Sequence, residues 1–166
     1  VDLRPGANPA LKFSIRREVN TTGYVAADTH IHTFTYSRHG DATLAERMIT
    51  LAGEGIEFPI ATDHNLPVDY DQGARTAGVR VFFTPVVGNE VTTPKLGHFN
   101  VFPLDKGGRL IDFRAPTWDK LFDDIDARAL GAAIILNHAR DTHGGFRPFD
   151  PSRHISLTGE DLDGQR

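Results

Sequence analysis

Short apolar runs and helix-spaced apolar stripes alternate along the chain. Lys12 to Arg16 alternates polar and apolar positions, the period of a half-buried strand, and Tyr24 to Ala27 predicts a second short strand. That strand leads into Asp28-Thr29-His30-Ile31-His32-Thr33. Leu44, Ala45, Met48, Ile49, Leu51 and Ala52 fall at helical spacing behind Thr43-x-x-Glu46, a capping-box pattern, and Gly53 and Gly55 end the helix. Phe58 to Ala61 predicts a buried strand, Asp71 to Ala77 a short helix, and Val79 to Val87 a strongly β-prone run. His98 to Leu104 predicts a further strand. Thr117 caps a helix whose apolar face is Leu121, Phe122, Ile125, Ala129 and Leu130, and Gly131 stops it. Ala132 to Leu136 predicts the last strand. From Asp141 onward the chain is polar and rich in turn residues.

Strands and helices thus alternate, with one strand pair in the middle. This order predicts an α/β fold with a largely parallel sheet, in which active sites form at the carboxyl ends of strands. Residues 1–22, with Pro5, Gly6, Asn8 and Pro9, read as a linker or the end of a preceding β-rich segment. Residues 23–166 read as one domain.

Composition narrows the classes. The chain has 166 residues, 39% hydrophobic and 24% charged, which excludes disorder and suits a single domain. Mean hydropathy is -0.31, and no apolar run approaches the roughly 20 residues of a membrane span, so no membrane partner is expected. The net charge is -4 without a basic block, so no nucleic-acid partner is expected either. Cysteine is absent, which removes disulfides and thiolate metal sites. The compartment stays open between cytoplasm and export. The first residue is valine, which reads as processing or excision from a longer protein.

The eight histidines carry the chemistry, because six of them fall at or near expected strand ends. His30 and His32 are two apart at a strand end, so both imidazoles face one side and can share an ion. His39 follows in the next loop. His64 ends the second strand beside Asp63, Glu90 ends the third, His98 begins the fourth, and His138 ends the last. Imidazoles with a carboxylate suit zinc, iron or manganese, and a bridging carboxylate suits a two-metal hydrolase. There is no Gly-x-Ser-x-Gly elbow, no P-loop and no Gly-x-Gly-x-x-Gly. Singly, each of these residues has an ordinary reading as a cap, a surface imidazole or a satisfied buried histidine; the ordered set points to metal.

Five segments together resemble a known superfamily. Asp28-Thr29-His30-Ile31-His32-Thr33, Ala61-Thr62-Asp63-His64-Asn65, Gly88-Asn89-Glu90, Gly97-His98-Phe99-Asn100 and Asn137-His138-Ala139-Arg140 are similar to the successive motifs of the PHP (polymerase and histidinol phosphatase) superfamily. They are most similar to its branch of metallohydrolases that includes carbaryl hydrolase. The resemblance covers about Gly23 to Phe149. It implies a distorted (β/α)7 TIM-like barrel, with about the first four strands present here, and two or three divalent ions at the strand ends. It implies that His30 and His32 bind one ion, that Glu90 bridges it to a second completed by His98 and His138, and that His39 and His64 bind a third. Asp63 would orient an imidazole. A final Asp-x-His motif from a late strand is missing, since Asp141-Thr142-His143 follows no such strand. The remainder of the barrel is expected from the parent chain or from a partner chain.

The expected activity is metal-dependent hydrolysis by a metal-bridging hydroxide, first of a phosphate ester. Arg38, Arg140 and Arg147 are candidates to hold the anionic group, with His39, Asp63 and Arg140 as catalytic candidates. The same centre on a carboxyl ester, carbamate or amide is the alternative, with Phe34, Tyr36, Phe99, Phe146 and Phe149 as a candidate aromatic pocket. A degenerate metal-binding structural module is a third reading. In each catalytic case the partner is a small-molecule ester substrate.

Overall fold

A computed structural model describes residues 6, 10, 12–14, 16 and 18–139. Arg140, His143, Phe146, Arg147, Phe149 and His154 lie outside the described residues.

Six strands and four helices alternate in the order β1 (Ala27–Ile31), α1 (Phe34–Ser37), α2 (Leu44–Glu54), β2 (Phe58–Ala61), α3 (Asp71–Thr76), β3 (Val86–Val87), β4 (Asn89–Thr92), β5 (His98–Phe102), α4 (Trp118–Ala129) and β6 (Ala133–Leu136). Helix α2 begins as its sequence dictates. The Thr43 hydroxyl accepts from the Glu46 N–H while the Glu46 carboxylate accepts from the Thr43 N–H, and Gly55 ends the helix in the left-handed region at φ 74°. Thr117 caps α4 by the first of these bonds alone, its hydroxyl accepting from the Lys120 N–H.

The described residues form two three-stranded sheets and no closed barrel. The first, β1-β2-β3, is parallel throughout. The second, β4-β5-β6, is antiparallel, which corrects the expectation of a largely parallel sheet. Only Gly88 separates β3 from β4, and β4 continues the pairing of the first sheet through a parallel bridge between His64 and Glu90. The chain from Val86 to Thr92 is thus one strand shared by both sheets. Gly88 is required at the crossing. A Cβ there would lie 2.8 Å from the Ala61 carbonyl oxygen and 2.9 Å from Ile60 Cγ2.

Alternation along the strands sorts the side chains onto two faces. Phe99 and Val101 pack outward with Val91, Leu121 and Ile125 under α4, while His98 and Asn100 turn to the other face. In the first sheet Ile31 packs with Met48, Leu51 and Tyr70 beneath α2 and α3, while His30 and His32 turn away from that core. Each sheet therefore has its own apolar core under its helices, and the polar faces meet. Among the described residues β6 is an outer strand of the second sheet, and Ile134 and Ile135, on opposite faces of it, are both exposed.

Three sequence expectations change. The described residues among Lys12 to Arg16 are not a strand. The first strand starts at Ala27, leaving Tyr24 and Val25 exposed. The β-prone run from Val79 forms a single 3-10 turn over Arg80–Phe82, followed by the two-residue β3. Arg80 explains the turn. Its Nε donates to Asp71 at 2.6 Å and its Nη1 to the Phe83 carbonyl at 2.6 Å, tying the segment back to α3.

Two measurements check these constraints. Gly88→Ala should lower unfolding free energy by about 1–3 kcal/mol through overpacking. Gly53→Ala, where a Cβ meets nothing within 4 Å, should raise it by up to about 0.5–1 kcal/mol. Urea midpoints separate the two variants. Acid unfolding tests the turn. Hydrogen bonds from Arg80 and then Arg75 lower the Asp71 carboxyl from 3.8 to about 2. The stabilisation it contributes is complete above its unfolded value of about 3.9 and is lost as pH falls towards 2. Stability of Asp71→Asn should therefore fall less steeply between those values than that of the unsubstituted chain.

Candidate metal centre

Antiparallel pairing brings the site together. His98 opens β5 opposite Thr92 of β4, and Phe99 pairs with Leu136 at the end of β6. The start of β5 and the chain just past β6 therefore share one edge with the ends of β1 and β2. Glu90 lies at the centre, fully buried.

Five imidazoles surround this carboxylate. His30 Nε2, His98 Nδ1 and His138 Nε2 lie 3.5, 3.3 and 3.4 Å from Oε1, and His32 Nε2 and His64 Nδ1 lie 3.1 and 2.9 Å from Oε2. Burial opposes ionisation of Glu90. The imidazoles around it, His30 foremost, outweigh burial and hold the carboxyl far below the usual carboxylate range.

Buried amides lock the carboxylate in place. Asn137 Nδ2 donates to Glu90 Oε1 at 2.9 Å and to Asn100 Oδ1 at 2.7 Å, and Asn100 Nδ2 donates to the Thr29 carbonyl at 2.7 Å. This chain of bonds spans both sheets. By contrast, Glu90 Oε2 is buried without an acceptable hydrogen bond, although two ring nitrogens lie within 3.1 Å of it. Distance is satisfied there and direction is not.

That mismatch fits a cation. Donors about 2.1 Å from a transition-metal ion sit roughly 3.0 Å apart at right angles and roughly 3.4 Å apart in a tetrahedron. The spacings here match those edges, including 3.0 Å between His30 Nε2 and His32 Nε2. Two groups of donors could hold an ion, His30 with His32 and Glu90, and Glu90 with His98 and His138. Glu90 is common to both.

His39 and His64 complete no third group among the described residues. The His64 ring stacks on His32 with centroids 4.4 Å apart, and its Nδ1 lies 2.6 Å from the Thr92 hydroxyl. The His39 ring lies 5.6 Å from His32 and 5.7 Å from His64. Both line an open cavity of about 390 Å³ with His30, His32, Glu90 and His138.

Other candidates fall elsewhere. Asp63 is buried and, among the described residues, hydrogen-bonds no imidazole directly; its oxygens accept from Thr33, Ser37 and Tyr70. Burial and the adjoining Asp63 carboxylate push the Tyr70 phenol far up, so Tyr70 remains a donor. Arg38 is exposed in the left-handed region at φ 56° and is outside the cavity lining. Phe99 is a core residue, edge-on to Phe122 and Trp118, and not a pocket wall. Phe34 and Tyr36 are exposed on α1.

Sequence reasoning gave no role to Ser37, Thr92, Asn100 or Asn137. Asn100 carried a signal, since it lies two residues after His98 and so on the same strand face. Ser37 carried none.

Comparison with protein-family models, with curated proteins and with solved structures finds no match for this chain.

The amide network gives a direct test. Asn137→Ala removes the donor to Glu90 and leaves Asn100 Oδ1 unsatisfied, and should destabilise the chain by about 1–3 kcal/mol. Asn137→Asp should cost more, because it sets a second carboxylate against Glu90. Thermal unfolding of the two variants reads the order.

Proposed function

We propose that the chain is a metal-dependent hydrolase of the kind its PHP-like motifs suggest, and that its first substrate class is a phosphate ester. The observation that carries the reading is the buried Glu90 carboxylate, common to two groups of histidine donors at coordination spacing. His30 and His32 would hold one divalent ion and His98 and His138 the other, with zinc, iron or manganese suited to these ligands. Two such ions supply an activated water at neutral pH and neutralise charge on the ester group.

The chain's own residues do the rest. Asn137 and Asn100 keep Glu90 in one position, so the two donor groups keep a fixed separation. The antiparallel start of β5 and the end of β6 deliver His98 and His138 from opposite chain directions. His39, on the cavity wall and in neither donor group, stands where it can meet a bound substrate.

A carboxyl ester, carbamate or amide is the second reading. The described cavity lining, imidazole and carboxylate, would serve an uncharged ester as well as an anionic one.

Elemental analysis of protein reloaded with zinc or manganese should find about two ions per chain, the number a shared carboxylate serves. Glu90→Gln should reduce that to one or none. Hydrolysis of an aryl phosphate should vanish with a chelator and return with metal. Activity on an aryl ester alone would transfer the conclusion to the second reading. A chain that takes up no ion would end the metal-dependent one.

A further inference from the structure

We propose that Ser37 is a positioning residue for the metal centre: it fixes the His32 proton on Nδ1, so that Nε2 is presented as a lone-pair donor. The inference rests on the metal-dependent reading above and adds a residue that none of the motifs contains.

Asp63 Oδ1 accepts from the Thr33 N–H at 2.8 Å, from the Thr33 hydroxyl at 3.1 Å and from the Ser37 hydroxyl at 2.6 Å. Its Oδ2 accepts from the Tyr70 hydroxyl at 2.8 Å. A carboxylate has only acceptors to offer, so the single proton of Ser37 points to Asp63. The Ser37 oxygen is then an acceptor for everything else near it. It accepts from the His64 backbone N–H at 3.1 Å, and it lies 3.2 Å from His32 Nδ1. The ring nitrogen must therefore supply the hydrogen of that bond. The neutral imidazole has one N–H, so with that proton held on Nδ1 the Nε2 lone pair is left for the cation that would sit between it and Glu90. His32 Nε2 lies 3.0 Å from His30 Nε2 and 3.1 Å from Glu90 Oε2, inside the donor group.

Local folding explains why a serine can do this. Thr33 caps the single turn of α1, with its hydroxyl accepting from the Tyr36 N–H, and the Ser37 N–H donates to the Thr33 carbonyl at 2.9 Å. The turn carries Ser37 back beneath His32, between the imidazole and the buried carboxylate. Asp63 thus acts on the centre through a hydroxyl.

The test is the histidine ring nitrogen spectrum of metal-free, 15N-labelled protein at a pH where imidazoles are neutral, with zinc affinity measured on the same samples. His32 should show a protonated Nδ1 and a bare Nε2. Ser37→Ala should mix the tautomers and weaken zinc binding about 10–100-fold, the usual effect of losing a partner that orients a ligand. Ser37→Thr, which keeps the hydroxyl, should restore both. A His32 proton on Nε2 in the unsubstituted chain would overturn the assignment, and that reading needs no variant to fold. Unchanged tautomer and zinc affinity in Ser37→Ala would overturn it as well. Failure of the unsubstituted chain to bind zinc, with His32 still protonated on Nδ1, would overturn the donor role and the metal reading together, and leave the tautomer standing.

Discussion

Burying a carboxylate is costly unless charge and hydrogen bonds replace the lost water. Glu90 sits among five imidazoles and accepts from one amide, and much of the fold serves to deliver them. Parallel pairing in the first sheet brings His30, His32 and His64 to its edge. Antiparallel pairing in the second reverses the chain so that His98 and His138 arrive at the same place. The two apolar cores lie on the far sides of the sheets, where they hold the strands without entering the polar interior.

Asp63 is a second buried carboxylate solved differently. Its neighbours are neutral donors, the hydroxyls of Thr33, Ser37 and Tyr70 and one backbone N–H. Charged partners are absent from that set, so Asp63 orders the loop after β1 without competing for a cation. Two neighbouring strands thus bring two carboxylates with distinct duties, Asp63 just past β2 and Glu90 within β4. One is central to the histidines, and the other is fixed a hydroxyl away.

Periodicity made some of this legible. Helix α2 with its capping box, helix α4 with its Thr117 cap, and strand β2 stand in the sequence because local chemistry alone specifies them. The pairing of His30 with His32 was legible for the same reason, since alternation by two is a strand property. The run from Val79 misled because its β-branched and aromatic residues suit a strand, while the Arg80 contacts to Asp71 and Phe83 are tertiary and override that preference. Strand direction in the second sheet was illegible, because pairing of β5 with β6 depends on contacts across the intervening α4 segment. Ser37 was illegible too, since a hydroxyl becomes informative only when its neighbours in space are known.

The outer side of β6, the last described strand of the second sheet, has a consequence for what can pair with it. Ala133-Ile134-Ile135-Leu136 is an apolar edge, and no described strand lies beyond it. Such an edge is a template for adding a foreign strand, and charge or proline, the usual guards, are missing from it. A strand added there, from the rest of a barrel or from another molecule, would lie beside the turn that presents His138 and so would help to fix one of the ligands of Glu90's second donor group.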